Sequence, residues 1–217
     1  MIAVLLKALL SYLLGSLMGS LLIARATGGV DIRTLGSGNA GATNAMRTVG
    51  RRVAVCVLLV DLAKGWIATA LVARWAIPGI PAAPGWQAWS VAVCGLAVML
   101  GHVYPLYFGF RGGKGVATFV GAVLGIAPGL LAPMILTWLA AVMLTGFVSL
   151  GSMLGAAAVA LAIALSPISP RTPLLTFAIV AALLVVFTHR ANIARMRAGT
   201  ESRAKRLWLL GRGRGAP

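Results

Sequence analysis

Three stretches of the chain gather the residue types that do chemistry. The first reads Leu35-Gly36-Ser37-Gly38-Asn39-Ala40-Gly41-Ala42-Thr43-Asn44, with Arg47 after it. Its three glycines permit tight backbone curvature and leave amide groups to surround an anion. Ser37, Thr43 and Asn44 add side-chain donors, and Arg47 can hold a phosphate through two parallel hydrogen bonds. A helix opening just afterwards presents its positive end to the same anion. The second stretch holds Gly101-His102, Pro105 and Phe110-Arg111-Gly112-Gly113-Lys114-Gly115. Bare amides and a lysine at the start of a helix again suit a phosphate. The third is His189-Arg190-Ala191-Asn192-Ile193-Ala194-Arg195, with Gly199 and Glu201 following. On one continuing helix His189, Asn192 and Arg195 share a face. Gly199 is a helix stop, and Glu201, the only glutamate, is expected to pair with an arginine from another loop.

Several familiar chemistries are excluded. Gly36, Gly38 and Gly41 match GxGxxG, and Asp61 stands 20 residues beyond Gly41. No strand precedes them, however, and Asp61 lies within an apolar run, so a dinucleotide fold does not fit. The second stretch is not a Walker loop. Phe108 stands where that motif needs glycine, and Gly115 replaces the Ser or Thr that would hold magnesium. With Asp31 and Asp61 as the only aspartates, no Ser-His-Asp triad is plausible. Cys56 and Cys94 sit in apolar segments and are packing residues; neither a metal nor a cofactor is expected. Plainer readings stay open for each stretch: a flexible glycine-rich loop, a basic turn, and a juxtamembrane helix touching lipid. Asp61 and Lys64, at i and i+3 in one apolar segment, read as a structural pair, and His102 alone as a satisfied interfacial histidine.

The elements that carry these stretches follow from composition. Of 217 residues 60% are hydrophobic and 10% charged, too few charges to cover a water-facing surface. Long apolar runs, rather than short alternating segments, indicate an all-α integral membrane protein and not a β-barrel. Nineteen Lys and Arg against three acids give a net charge of +16. The basic residues flank the apolar runs, so membrane topology and anionic headgroups explain them better than nucleic acid. Spans are expected at residues 2–24, 53–73, roughly 87–104 and 173–189. The first is expected to be an uncleaved span, because its run from 8 to 24 is longer than a signal peptide's apolar region.

Residues 115–170 contain no charge at all. Ala127-Pro128-Gly129 with Pro133, and Gly146 with Ser149-Leu150-Gly151-Ser152, are expected turns. Residues 25–52, 105–114 and the tail from Arg190 are basic and therefore cytoplasmic. Only an odd number of crossings between 115 and 170 keeps that tail inside. Three crossings use the full length and give seven helices, with the N-terminus outside and the C-terminus cytoplasmic. Trp75, Trp86 and Trp89 mark the outer interface, with outer loops at 77–86 and 166–172. One domain, residues 1–203, precedes a basic tail, 204–217, expected to be disordered.

GSGNAGATNAMR, GHVYPLYFGFRGGKGVAT and HRANIARMRAGTE, taken together, resemble the signature loops of the bacterial acyl-phosphate:glycerol-3-phosphate acyltransferase family in order and spacing. The resemblance covers the chain to about Arg203. It implies a seven-helix enzyme of the bacterial plasma membrane, its active site facing the cytoplasm. Such an enzyme transfers an acyl chain from acyl phosphate to glycerol 3-phosphate and needs no obligate protein partner. It also implies roles for particular residues. Ser37 and Arg47, with Gly38, Asn39, Thr43 and Asn44 around them, match the first substrate loop. Lys114 with Gly112, Gly113 and Gly115 matches the second-loop phosphate site. His189 and Asn192 match the active-site pair, Ser152 another polar site position, and Glu201 a structural acid. Arg111 stands where lysine is common in the family, and the charge is kept. The HxxxxD arrangement of other glycerophosphate acyltransferases is absent, since Tyr107 and Ala194 follow the two histidines at the fifth position. Two rival classes are a transporter of an organic phosphate, which wants polar residues near the bilayer midplane, and a non-catalytic scaffold.

Overall fold

The computed structural model describes residues 1–80 and 85–211. Positions 81–84 of the expected outer loop and residues 212–217 of the tail lie outside the described residues. Among the described residues the regular elements are all helical. They fall into two compact units, residues 1–128 and 129–217.

The first unit opens with a broken helix. Leucine-rich α1 (Ile2–Gly15) stops, and α2 (Gly19–Thr27) resumes at a bend of 48°. The expected single helix over 2–24 is therefore corrected to a bent pair. A break frees backbone carbonyls that need donors in an apolar medium. Lys64 supplies them: its Nζ donates to Gly15 O at 2.9 Å and Leu17 O at 3.1 Å. Short α3 (Ala42–Thr48) leads into α4 (Arg51–Trp66), which continues through a π turn, Ile67–Leu71, and a 3-10 turn, Val72–Arg74. Cations again serve the carbonyls at this end. Lys7 Nζ donates to Ala73 O at 2.9 Å, and Arg74 Nη2 to Gly125 O at 3.0 Å. α5 (Gln87–Val103) and α6 (Val116–Ile126) complete the unit. Small residues let these backbones approach closely. A Cβ at Gly15 would collide with Val98 O of α5, one at Gly101 with Tyr12 O of α1, and one at Gly65 with Thr118 O of α6.

In the second unit, α7 (Leu131–Thr145) begins just after the 3-10 turn Pro128–Leu130 and ends at Gly146, which takes the left-handed conformation at φ +79°. Pro133 was expected in a turn but sits in the first turn of α7, where its missing N–H is harmless. α8 (Val148–Leu165) starts two residues after Gly146. Ser149, Gly151 and Ser152 are therefore helical, a second correction: Gly146 alone makes the corner. α9 (Arg171–Thr188) and α10 (Arg190–Arg197) follow. Residues 203–211 fold onto the α7–α8 corner. Ala204 N–H donates to Gly146 O at 2.8 Å, Arg203 Nη1 to Thr145 O at 3.0 Å and Trp208 Nε1 to Leu144 O at 3.2 Å. The Arg203 guanidinium lies over the rings of both Phe147 and Trp208, 4.5 and 4.1 Å from their centroids.

Five helical stretches, Arg51–Arg74, Gln87–Phe108, Pro128–Thr145, Val148–Leu165 and Arg171–Thr188, are long and apolar enough to cross a bilayer. The bent α1–α2 pair makes a sixth if it counts as one span. α6 has 11 residues and rises about 16 Å, roughly half the hydrocarbon thickness. Length alone thus supports five or six spans, short of the expected seven. Leucines such as Leu136, Leu161, Leu165 and Leu183 are exposed on the long helices, as lipid-facing side chains are.

Candidate active site

The polar loops of the first unit are built from the bottom by side-chain to backbone bonds. Asn44, buried on α3, accepts from Ser37 N–H at 2.9 Å and donates to Ile32 O and Leu35 O at 2.9 and 3.0 Å. Its amide protons shape the loop, so Asn44 acts here as a strut within residues 32–44. Asn39 Oδ1 accepts Gly41 N–H at 2.9 Å and closes a tight turn. Ser20 Oγ of α2 donates to Ala40 O at 2.7 Å. Ser37, Gly38, Thr43 and Arg47 are left on the exposed rim of this loop, where an anion can reach them.

The second loop differs from the expected ring of bare amides. Gly112 N–H donates to Val103 O and Gly113 N–H to His102 O, both at 3.1 Å. Those two amides are committed to the end of α5, a correction to the sequence reading. Their glycines are explained by space: a Cβ at Gly113 would collide with His102 Nε2, and one at Gly112 with His102 O. Gly115 then turns the chain into α6 at φ +83°. Lys114 stands half-buried between these points.

Beneath the loops lies a charged cluster. Asp61 Oδ1 is 2.9 Å from Lys64 Nζ and 3.4 Å from His102 Nδ1, and all three side chains are buried. These are close charge contacts without hydrogen-bond alignment at the carboxylate oxygen. The expected Asp61–Lys64 pair is present, and His102 is buried against it.

In the second unit the helix does not run on past Thr188. His189 leaves helical geometry at φ −94°, ψ 7°, and α10 restarts at Arg190. His189 Nδ1 is 2.7 Å from Val185 O. A carbonyl only accepts, so Nδ1 carries the proton. Gly199, left-handed at φ +70°, ends α10 and turns the chain back. Glu201 thereby returns over α10. Asn192 Nδ2 donates to its Oε1 at 2.6 Å, Ser149 Oγ of α8 to the same oxygen at 2.9 Å, and Arg195 Nε to Oε2 at 2.7 Å. The arginine partner comes from the same segment, not from another loop. Burial works to raise the Glu201 pKa, but hydrogen bonds from Asn192, Arg195 and Ser149, with the Arg195 charge, outweigh it and hold the carboxyl below its ordinary value. Ser152, one turn after Ser149, donates to Val148 O at 3.0 Å.

The first unit thus joins Ser37, Asn39, Asn44 and Arg47 in one loop with the Gly112–Gly115 loop near it. The second joins Asn192 to Glu201 and leaves Ser152 on the helix face that carries Ser149. Ser149, Asp31 and Arg33 were missed as site-building residues. Ser149 had a signal in its spacing of three from Ser152. Among the described residues no group of three or more His, Cys, Asp or Glu gathers to hold a metal.

Regular elements that are all helical among the described residues, with several apolar spans, mark an integral membrane protein. Comparison with known proteins makes this specific. The family model described as "Glycerol-3-phosphate acyltransferase" matches residues 5–199, and the chain belongs to that family. It is 43% identical over 201 residues to the glycerol-3-phosphate acyltransferase of Geobacter sulfurreducens, covering 93% of this chain and 97% of the relative. The corresponding protein of Geotalea daltonii is 44% identical over 186 residues, 86% and 90% of the two chains. Among solved structures, the glycerol 3-phosphate form of PlsY (YgiH), an integral membrane glycerol 3-phosphate acyltransferase, superposes with a TM-score of 0.81 at 36% identity. That match covers 92% of this chain and 94% of the other. The lysophosphatidic acid form of the same protein superposes at 0.79.

Proposed function

We propose that this chain transfers an acyl group from acyl phosphate to the 1-hydroxyl of glycerol 3-phosphate in the bacterial plasma membrane, giving lysophosphatidic acid and phosphate. The observation that carries this reading is the match, over nearly the whole chain, to a protein solved with glycerol 3-phosphate and with lysophosphatidic acid. An acyl phosphate is a mixed anhydride with a good leaving group, so no covalent enzyme intermediate is required. The glycerol oxygen attacks the acyl carbonyl. The bond from that carbon to the phosphate oxygen breaks, phosphate departs with the electron pair, and the hydroxyl proton ends on phosphate.

The protein's share of this work is proximity and electrostatics. Ser37 and Arg47 with the Gly38–Thr43 turn, and Lys114 at the head of α6, are assigned to the phosphates. His189 and Asn192 are assigned to hydrogen bonds that orient the reacting groups. Ser152 is assigned a further polar contact, and Glu201 holds Asn192 and Arg195 in place. Seven crossings are also part of the proposal: the five long helices, the bent pair and α6, with the N-terminus outside and the active site and C-terminus in the cytoplasm. The charge parity of the loops supports this count. The decisive experiment mixes purified protein with acyl phosphate and glycerol 3-phosphate. Lysophosphatidic acid and phosphate should appear in equal amounts; no product with acyl phosphate as donor overturns the reading.

A further inference from the structure

One side chain in the first unit joins two stretches of chain that lie far apart in sequence. Asp31 accepts the Arg33 N–H at 2.9 Å and caps the 3-10 turn Ile32–Thr34. Its carboxylate also grips the Arg33 guanidinium side-on, from Nε at 3.0 and 3.1 Å and from Nη2 at 2.7 Å. A planar fork held along one edge has a fixed direction for its remaining nitrogen. That nitrogen, Nη1, donates to Phe108 O at 2.9 Å and to Arg111 O at 3.0 Å. These carbonyls bracket Gly109 and Phe110, both at positive φ, +66° and +57°. Phe110 pays a steric cost there that a glycine would not, and the Arg33 bonds add to the backbone bonds of the turn, among them Phe110 N–H to Pro105 O at 2.9 Å. A second cation reaches the same place, as Arg25 of α2 lies 4.5 Å over the Phe108 ring.

The positions of these contacts give them a consequence. Ser37 follows Arg33 by four residues, and Lys114 follows Arg111 by three. The hydrogen bond from Arg33 holds the Asp31 carboxyl below its ordinary value despite some burial, so the grip is charged at neutral pH. We propose that Asp31 and Arg33 form a strut that sets the spacing between the Ser37–Arg47 loop and the Lys114 loop, making Arg33 a positioning residue for the two phosphates. The inference rests on the acyl-transfer reading above. Arg33 acts through the loops: four of its five guanidinium N–H groups go to one carboxylate and two carbonyls, and Asp31 beside it would repel an anionic ligand.

The test compares Arg33→Ala, Arg33→Lys and Asp31→Asn with the wild type. Wild-type turnover of acyl phosphate and glycerol 3-phosphate is the baseline; its absence defeats the functional reading alone. The strut predicts that kcat/KM for glycerol 3-phosphate falls roughly tenfold or more in Arg33→Ala, because charge-assisted hydrogen bonds are lost. Arg33→Lys should fall nearly as far, since an ammonium cannot span three acceptors in that geometry. Asp31→Asn should fall severalfold, whereas an arginine that touched phosphate directly would bind it more tightly once the neighbouring carboxylate was gone. Unfolding temperatures in detergent should stay within a few degrees of wild type. A readout independent of activity is trypsin cleavage after Arg111, which should accelerate in all three variants. Wild-type kinetics in Arg33→Lys, tighter glycerol 3-phosphate binding in Asp31→Asn, or unchanged cleavage at Arg111 would each overturn the proposal. If Arg33→Ala does not accumulate, the other two variants carry the same comparison.

Discussion

The ammonium of Lys64, buried on the apolar helix α4, reaches across to Gly15 O at the end of α1, 2.9 Å away. An intramembrane charge is expensive and is a functional suspect by default. Here it has a structural task. It satisfies carbonyls freed by the α1–α2 break while Asp61, 2.9 Å from it, balances the charge.

Lys64→Met is therefore expected to leave Asp61 with only His102 beside it and to cost about 3–5 kcal/mol of stability. The Asp61→Asn/Lys64→Met double variant, which removes both charges, should be less damaged than the single one. Residual folded protein after heating in detergent, followed by size-exclusion chromatography, measures this. A Lys64→Met variant as stable as wild type but kinetically impaired would assign the lysine to function instead.

The proposed phosphate contacts make a sharper claim. Arg47→Ala and Lys114→Ala should each reduce turnover at limiting glycerol 3-phosphate more than tenfold. Each removes a charge-assisted hydrogen bond worth about 1.5–3 kcal/mol. Near-normal rates in either variant count against the assignment.

Glu201 gives a pH signature. Its folded carboxyl sits below the ordinary value through bonds from Asn192, Arg195 and Ser149. Protons therefore bind the unfolded chain more readily than the folded one. The stabilisation is complete above the ordinary glutamate value of about 4.3 and is lost as pH falls through the depressed one. Glu201→Gln should be less stable than wild type at neutral pH, and the gap should close in acid below that range. Thermal unfolding of both proteins across pH tests this; a gap that persists unchanged into strong acid refutes it.

His189 and the leaving phosphate compete for the role of base. Because Nδ1 carries a proton toward Val185 O, a neutral ring presents Nε2 as an acceptor. We favour the phosphate as base, with His189 orienting. His189→Gln should then retain roughly tenfold more activity than His189→Ala, by about one hydrogen bond. Its rate should still fall at low pH as phosphate protonates. A Gln variant as inactive as Ala, with no acidic limb in its residual rate, identifies histidine as the base.

Topology is open to direct labelling. Single cysteines at positions 40 and 200, in a background lacking Cys56 and Cys94, should react only with reagents that enter the cytoplasm. Outside reactivity at position 200 would mean that α6 turns back instead of crossing.

Composition and periodicity sufficed for much of this protein. Scarce charge against long apolar runs specified membrane helices, and α4 with its π and 3-10 continuation, α5 and α9 fall within a few residues of the expected spans. The polar loops were also legible, since glycine, asparagine and arginine in an apolar chain mark places where backbone must be turned or an anion held. Tertiary structure decided what local pattern cannot encode. The α1–α2 break lies in a run that reads as continuous helix, and the lysine that compensates it is 49 residues from Gly15. Gly112 and Gly113 read as a phosphate cradle, yet α5 packs so closely that their amides bond to His102 and Val103. Arg33 was just one more basic residue until Phe108 O and Arg111 O, 75 and 78 residues away, came within hydrogen-bond reach. Helix and loop signals are local sums over neighbouring side chains. Which buried carbonyl meets which cation depends on packing between distant segments, and only the folded chain determines it.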